Sequence, residues 1–310
     1  MYQLFGNLLT HYGSASLNHG QSKGNVSFIK TLLWHDKEHS TVSGDAIRWA
    51  LRYYWQQQCY AVNRFWNADT FKNILIDEDF DPVRFIDDDV LGYMKTEAAK
   101  EEIIEEDSET QGKQDNGKRS KKTKGKSISR LGALGVNRAI SLTPYNRTRT
   151  FNAKSGGDKD RTSLHFHEYH NTRYQYGFAL DPNHLKDKSR IFAVIDGLMS
   201  IRKVGGHNNV FCYDFSPESM VFRWTQKNSP HFFYCFEQHS LEVEPIISSD
   251  LIEQVEVEDI DGNELWIGGK IAKNLHLKDA HIFLGREQAV ADLKRVIARD
   301  LDLTEFQPSS

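Results

Sequence analysis

Apolar positions along the chain follow two periods, and their order outlines a fold. Residues 2–10 (YQLFGNLLT) read as a first strand, and over 173–180 Tyr174, Tyr176, Phe178 and Leu180 alternate onto one face of another. Between them, Ile47, Ala50, Leu51 and Tyr54 recur at helical spacing within 41–58, with Ser43 placed as N-cap. Ile191, Val194, Ile195, Leu198 and Ile201 mark a second helix over 190–201, and 287–299 reads as a C-terminal one. Residues 28–34 form a short apolar run, 128–142 a return strand, and short strands are expected near 210–215, 220–225 and 232–237. Asp261-Gly262 signals a hairpin turn within 258–267. Strand, helix, strands, strand, helix, Gly-Gly, strands is an α+β order compatible with a βαββαβ core carrying long inserts. No internal repeat, G-x-G-x-x-G or G-K-[ST] loop is present.

The inserts have a different character. Residues 11–23 are a polar loop rich in Gly, Ser and Asn. Residues 77–89 are acidic and aromatic and end in FIDDDVLGYM, with Asp87, Asp88 and Asp89 expected in a solvated loop or cap. Over 95–126 a run of glutamates precedes a run of lysines with few apolar residues, the composition of a surface insertion that cannot build a core. Residues 143–172 mix Tyr145, Arg147, Arg149, Phe151 and Arg161 without apolar periodicity. Aromatic faces stack on bases while cations track phosphates, so this suits single-stranded nucleic acid; a mobile loop with incidental charge has the same composition.

Composition narrows the classes. Of 310 residues, 39% are hydrophobic and 12% aromatic, enough for a core, and no apolar run approaches the length of a membrane span. The first residues lack the basic region of a signal peptide, and Cys59, Cys212 and Cys235 have neither disulfide nor zinc spacing, so a cytoplasmic protein is expected. Net charge is −4, but it is uneven. Residues 131–210 hold 12 Lys+Arg against 6 Asp+Glu, and 211–310 hold 9 against 18. A basic middle and an acidic end can serve an anion and a basic partner, or the next copy of the same chain.

Candidate chemistry concentrates on a few stretches. The second face of the 41–58 helix carries Asp45, Arg48, Arg52 and Trp55, two guanidiniums beside an indole, which suits phosphates and bases. In IRKVGGHNN, Gly205 and Gly206 let backbone amides approach a ligand, with Arg202, Lys203, His207, Asn208 and Asn209 around them; a glycine helix cap is the alternative. His165, His167 and His170 in LHFHEYH, or Asp87–Asp89, could hold a metal and support a metal-dependent ribonuclease that processes precursor RNA. His35 and His39 have i, i+4 spacing but precede the helix cap, in an expected loop. There is no nucleophile elbow or convincing catalytic dyad.

Five stretches in order, NLLTHYGSASLN, LLWHDKEHSTVSGDAIRWALR, FIDDDVLGYM, NRAISLTPYN and IRKVGGHNN, resemble the DevR-type backbone subunit of type I-B CRISPR Cascade, the repeated Cas-seven protein. The resemblance runs to about residue 225. It implies one ferredoxin-like, RRM-like palm over 1–310, with fingers or web inserted at 77–127 around the charged loop 95–126, and a thumb at 143–172. It implies a non-catalytic subunit with no cofactor or metal. Copies would polymerise along CRISPR RNA, support guide–target DNA pairing, and contact the Cas-five, Cas-eight and small subunits. Carried onto this sequence, the RNA-binding residues are Ser14, Ser16, Asn18, Lys30, His39, Thr41, Ser43, Gly44, Arg48, Arg52, Arg138, Arg147, Arg149, Phe151, Arg202, Gly205, Gly206, His207, Asn208 and Asn209.

Overall fold

The computed structural model describes residues 1–17, 19–23, 26–96, 101–102, 121–122, 127–153, 164–205, 211–238, 240 and 243–303. At its centre is a nine-stranded mixed sheet. Its strands are β1 (Gln3–Thr10), β2 (Thr31–Trp34), β3 (Lys37–Val42), β4 (Leu134–Val136), β5 (Ala139–Ser141), β6 (Tyr174–Leu180), β7 (Pro217–Thr225), β8 (Leu265–Gly269) and β9 (His281–Phe283). The order across the sheet is β9-β8-β7-β1-β6-β5-β3-β2, and β4 also pairs with β6. Helices α1 (Gly44–Gln57), α2 (Ile86–Val90), α3 (Arg190–Ser200), α4 (Ser249–Glu256) and α5 (Arg286–Asp300) complete the scaffold.

The expected order of elements is realised as two interlocked units. β1 runs antiparallel to both β6 and β7, and β6 runs antiparallel to β5, so β1 and β5 are parallel with β6 between them. α1 belongs to the first crossover and α3 to the connection from β6 to β7. On one face, Leu4, Leu8, Tyr174, Tyr176 and Phe178 pack with Ile47, Leu51, Trp55, Ile195, Leu198 and Leu293 from α1, α3 and α5. On the opposite face, Phe5, Leu9, Val221 and Ile267 pack beneath Phe232, Phe236 and the α4 residues Leu251 and Val255. Around β1, β7 and β8 the sheet is therefore covered on both sides. A strand of nucleic acid lying across an open sheet face is excluded there.

Close approach explains one glycine in β1. A Cβ on Gly6 would overlap the Phe178 ring and lie 2.6 Å from Cδ1 of Phe222. Both rings are buried, so they have little room to move aside. Gly6→Ala is expected to lower stability by about 1–3 kcal/mol, read as a shifted urea midpoint with unchanged slope.

Several sequence expectations are corrected. The buried stripe of α1 is Ile47, Ala50, Leu51 and Trp55; Tyr54 is half-buried, its phenol reaching the polar Ser200. Trp55 belongs to the core, where its indole N–H donates to the Ala193 carbonyl at 3.0 Å, and it does not flank Arg48 and Arg52 on an outer face. The 28–34 run is split between two sheets at Lys30, and the 128–142 run contains three strands, Ser127–Leu131, β4 and β5. Asp261 caps a short 3-10 turn instead of making a hairpin. His39 lies in β3, not in a loop.

The described parts of the polar loop 11–23 and of the 143–172 insertion form strands, which their composition does not suggest. Strands Thr148–Ala153, Leu164–Thr172, Val26–Ile29 and His19–Lys23 form a second sheet, and Gly13–Ala15 pairs with Leu164–Thr172. Most of the 95–126 segment lies outside the described residues. No helix among the described residues is long and apolar enough to cross a membrane.

Candidate nucleic-acid interface

The start of α1 is fixed on both sides. The Ser43 hydroxyl accepts from the Ala46 amide at 3.3 Å, and Gly44 sits against the Val136 carbonyl, where a Cβ would collide. One turn apart, Arg48 and Arg52 face an open groove of about 590 Å³, lined also by Trp49, Arg64, Tyr93 and Arg130. Arg48 donates to the Leu91 carbonyl, a backbone partner. Arg52 donates to Asp87 at 3.0 Å.

The acidic run beneath the groove is neither solvated nor open to an ion. Asp87, Asp88 and Asp89 are fully buried in the first turn of α2, where the helix dipole favours negative charge. Asp87 accepts from Arg52 and from the amides of Asn63 and Arg64 at 2.6 and 3.1 Å. Asp88 accepts from Asn63 Nδ2 at 2.7 Å. Asp89 pairs with Arg130 at 2.6 Å and Arg190 at 2.7 Å. Burial makes such charges expensive unless each is paired, and the arginines of the groove provide that pairing. The run ties α1, α2, α3 and the Ser127–Leu131 strand together. It also fixes where the guanidiniums stand.

A second group gathers where β1 ends and β7 begins. The Tyr213 hydroxyl meets Thr10 Oγ1 at 2.6 Å and the His11 carbonyl at 2.9 Å, the Phe215 amide donates to the Arg202 carbonyl at 3.0 Å, and Tyr169 stacks on Phe211. Exposed Ser14, Arg202 and Gly205 share this end of the molecule, with Gly205 at φ 57°. Ser16 is buried and its hydroxyl donates to the Glu168 carbonyl at 2.6 Å, so it does not present a surface. Asn18, Gly206, His207, Asn208 and Asn209 lie outside the described residues.

A third group borders β3. Exposed Lys30 and Arg138 are joined through Thr41, whose hydroxyl donates to the Lys30 carbonyl and lies 3.3 Å from Arg138 Nη1. Thr41 and His39 are themselves buried, so like Ser16 they serve the scaffold and not a surface contact. Arg147 is exposed and grips Glu38 at 3.0 Å, which holds the Glu38 carboxyl below its ordinary pKa. Arg149 approaches Glu168 at 3.4 Å and lies over the Phe28 ring. Beside it, Phe151 meets Phe166 edge-on at 5.6 Å, both rings partly in solvent.

In the histidine run, His170 is engaged within the fold. His170 is buried, with Nδ1 2.7 Å from Ser40 Oγ and Nε2 3.4 Å from Thr143 Oγ1. Both nitrogens are thus occupied. Among the described residues, no group of three His, Cys, Asp or Glu side chains is placed to hold an ion. Burial pushes the His170 pKa from 6.5 down to about 4. Between these values the unfolded chain binds the proton that the fold refuses, so stability is present above pH 6.5 and is lost as pH falls toward 4. The stability difference between wild type and His170→Asn is expected to shrink across that window, measured by urea unfolding at pH 7, 5.5 and 4.5.

No protein-family model matches the chain. A curated relative, the CRISPR-associated protein Cas7/Cst2/DevR of Myxococcus xanthus (strain DK1622), is 33% identical over 298 residues, covering 92% of each chain. The chain belongs to the Cas7/Cst2/DevR family of CRISPR-associated proteins. Two solved structures share its fold: a CRISPR RNA-guided surveillance complex in a pre-nicking state, with TM-score 0.57 at 10% identity, and a second CRISPR RNA-guided surveillance complex, with 0.53 at 12%. Each alignment covers 96% of this chain and all of the matched chain.

In this Cas7/Cst2/DevR-family chain, sequence reasoning missed Arg64 and Arg130 as groove residues, and Asp87 and Asp89 as their anchors. A signal was available. Three acids between apolar residues in FIDDDVL demand partners once that segment is buried.

Proposed function

We propose that this chain is the non-catalytic, RNA-binding backbone subunit of a type I-B Cascade surveillance complex in the cytoplasm. In this reading the β1-α1-β5-β6-α3-β7 core is a ferredoxin-like, RRM-like palm, residues 77–127 are fingers or web, and 143–172 are the thumb. Copies follow one another along a CRISPR RNA, support its pairing with target DNA, and meet the Cas-five, Cas-eight and small subunits. The observation that carries it is the groove of α1, where Arg48, Arg52, Arg64 and Arg130 stand on a rigid acidic base. Exposed Lys30, Arg138, Arg147, Arg149 and Arg202 add cations on other loops and edges.

The chemistry is that of backbone recognition. Guanidiniums and exposed amides hold phosphates without reading sequence, and guide–target pairing supplies specificity. Weak grip by one copy suffices when neighbours share a strand. The test is a titration of single-stranded RNA at several salt concentrations, with and without chelator. Affinity is expected to fall with salt by a log–log slope of about −0.7 per phosphate contact, with the RNA left intact. Salt-independent binding, or chelator-sensitive cutting, would overturn the reading.

A further inference from the structure

Strand Ile246–Ile247 leaves one edge open beside a groove of about 610 Å³. Among the described residues it pairs only with Phe236–Glu237, antiparallel, and the Ser248 amide donates to the Cys235 carbonyl at 2.8 Å as the next rung of the ladder. Antiparallel rungs alternate, so the main-chain groups of the opposed Phe236 and Ile247 turn away from each other. At Phe236 the Gln175 side chain takes both: the Phe236 amide donates to Oε1 at 3.1 Å, and Nε2 donates to the Phe236 carbonyl at 2.9 Å. Gln175 thus closes that edge as a strand would. The Ile247 amide and carbonyl turn to the opposite edge, on the groove side, where no backbone group among the described residues meets them. Ile247 is only 4% exposed. Main-chain groups withdrawn from water are rarely left unpaired, and an open edge is a template for another strand.

The rest of the groove suits what such a strand would carry. Ile246, Ile252, Ile271 and Leu275 give it an apolar lining, and Ile246 is 44% exposed at its rim. The far wall is fixed: the Ile271 amide donates to Ser219 Oγ at 3.1 Å, and Gly269, at φ 96°, sits against the Glu218 carbonyl, where a Cβ would collide. The rim is charged. Glu218 pairs with Arg173 at 2.5 Å, and Glu244 with Lys270 at 2.7 Å. Both carboxylates are thereby neutralised, while exposed Lys273 has no ion-pair partner among the described residues. The rim therefore keeps a spare positive charge within a C-terminal third that is acidic as a whole. An open strand edge, an apolar lining and a spare cation together fit an extended segment with apolar and acidic side chains.

We propose that this groove receives an extended segment of a partner protein, added to Ile246–Ile247 as a third strand, with an apolar side chain among Ile252, Ile271 and Leu275 and a carboxylate on Lys273. Ladder bonds to Ile247 supply the grip, and the lining and Lys273 supply the selectivity. The groove belongs to the face of the sheet opposite α1, so its use stands whether or not α1 holds a strand of RNA.

The experiment measures binding of capped pentapeptides to the full chain by fluorescence anisotropy. The peptides are EVIVE, KVIVK and an EVIVE analogue whose three central amides are esters, which removes N–H donors and keeps shape and charge. EVIVE is expected to bind about 10-fold more tightly than the ester analogue, through the loss of one or two ladder bonds, and several-fold more tightly than KVIVK. Lys273→Glu, at an exposed position, should reverse the preference between EVIVE and KVIVK without moving the melting temperature. Equal binding of EVIVE and its ester analogue overturns the added strand, and no binding of EVIVE at about 1 mM overturns the site. A preference for EVIVE that survives Lys273→Glu overturns the placement of the carboxylate. A concentration-dependent dimer in sedimentation, dispersed by EVIVE, would assign the edge to a second copy of the chain and overturn the partner protein.

Discussion

Asp87→Asn is expected to lower the unfolding free energy by about 3–5 kcal/mol, whereas Asp88→Asn, one residue on, is expected to be neutral or stabilising at pH 7.5. The asparagine at 87 keeps the shape but removes the charge that faces Arg52 and Arg64. Breaking one side of a buried ion pair leaves the other side desolvated and alone. Asp88 differs because its hydrogen-bond partner is a neutral amide, Asn63, because Arg64, 3.6 Å away, keeps Asp87 when Asp88 is replaced, and because burial has already raised its pKa from 3.8 to about 6. A raised carboxyl pKa means that the fold holds the proton more tightly than the unfolded chain does. Asp88 therefore adds stability as pH falls from about 6 toward 3.8, and its ionisation removes that gain above pH 6. An asparagine there makes the favourable state permanent. Urea unfolding of the two variants at pH 7.5 and 5 checks the contrast. Similar losses at both positions would mean that the run acts as a uniform block of charge.

Arg48→Glu is expected to weaken single-stranded RNA binding by about 10- to 100-fold while leaving the melting temperature within a few degrees. Arg48 is the better probe of the groove because its partner is a backbone carbonyl, so no carboxylate is orphaned when it changes. Arg52→Ala is ambiguous by comparison, since it strands Asp87 in the interior and confounds binding with stability. The salt slope of the Arg48 variant should flatten by about 0.7, the share of one phosphate contact on a single strand. Unchanged affinity and slope would place the strand away from α1.

The sequence made β1, β6 and α3 legible because β6 alternates with a clean period of two, while β1 and α3 are apolar enough to be buried on nearly every side. It could not show that Trp55 turns inward, since the width of a helix's buried stripe depends on how α3 crosses it. Helix α4 was overlooked although Leu251 and Val255 stand one turn apart, because eight residues give too short a pattern. The second sheet was hidden for another reason. Leu164–Thr172 pairs with Gly13–Ala15 and Val26–Ile29, more than a hundred residues away, and polar strands that pair at such distance carry no local signal. At the candidate interface, Arg48, Arg52 and Gly44 were readable from a helix start. The charge balance of Arg52 was not, because Asp87 meets it only in three dimensions. Likewise, His39, Thr41 and Ser16 lie in polar segments whose burial follows from strand pairing that composition conceals.

The most direct measurement is the ratio of absorbance at 260 nm to that at 280 nm for protein purified from cells that also express a CRISPR array, followed by sequencing of any bound nucleic acid. A wild-type preparation rich in array-derived RNA, with the Arg48→Glu preparation largely free of it, is the expected result. Wild-type protein that emerges without RNA, or an Arg48→Glu variant that carries just as much, would contradict the assignment of α1 as the site where the strand is held.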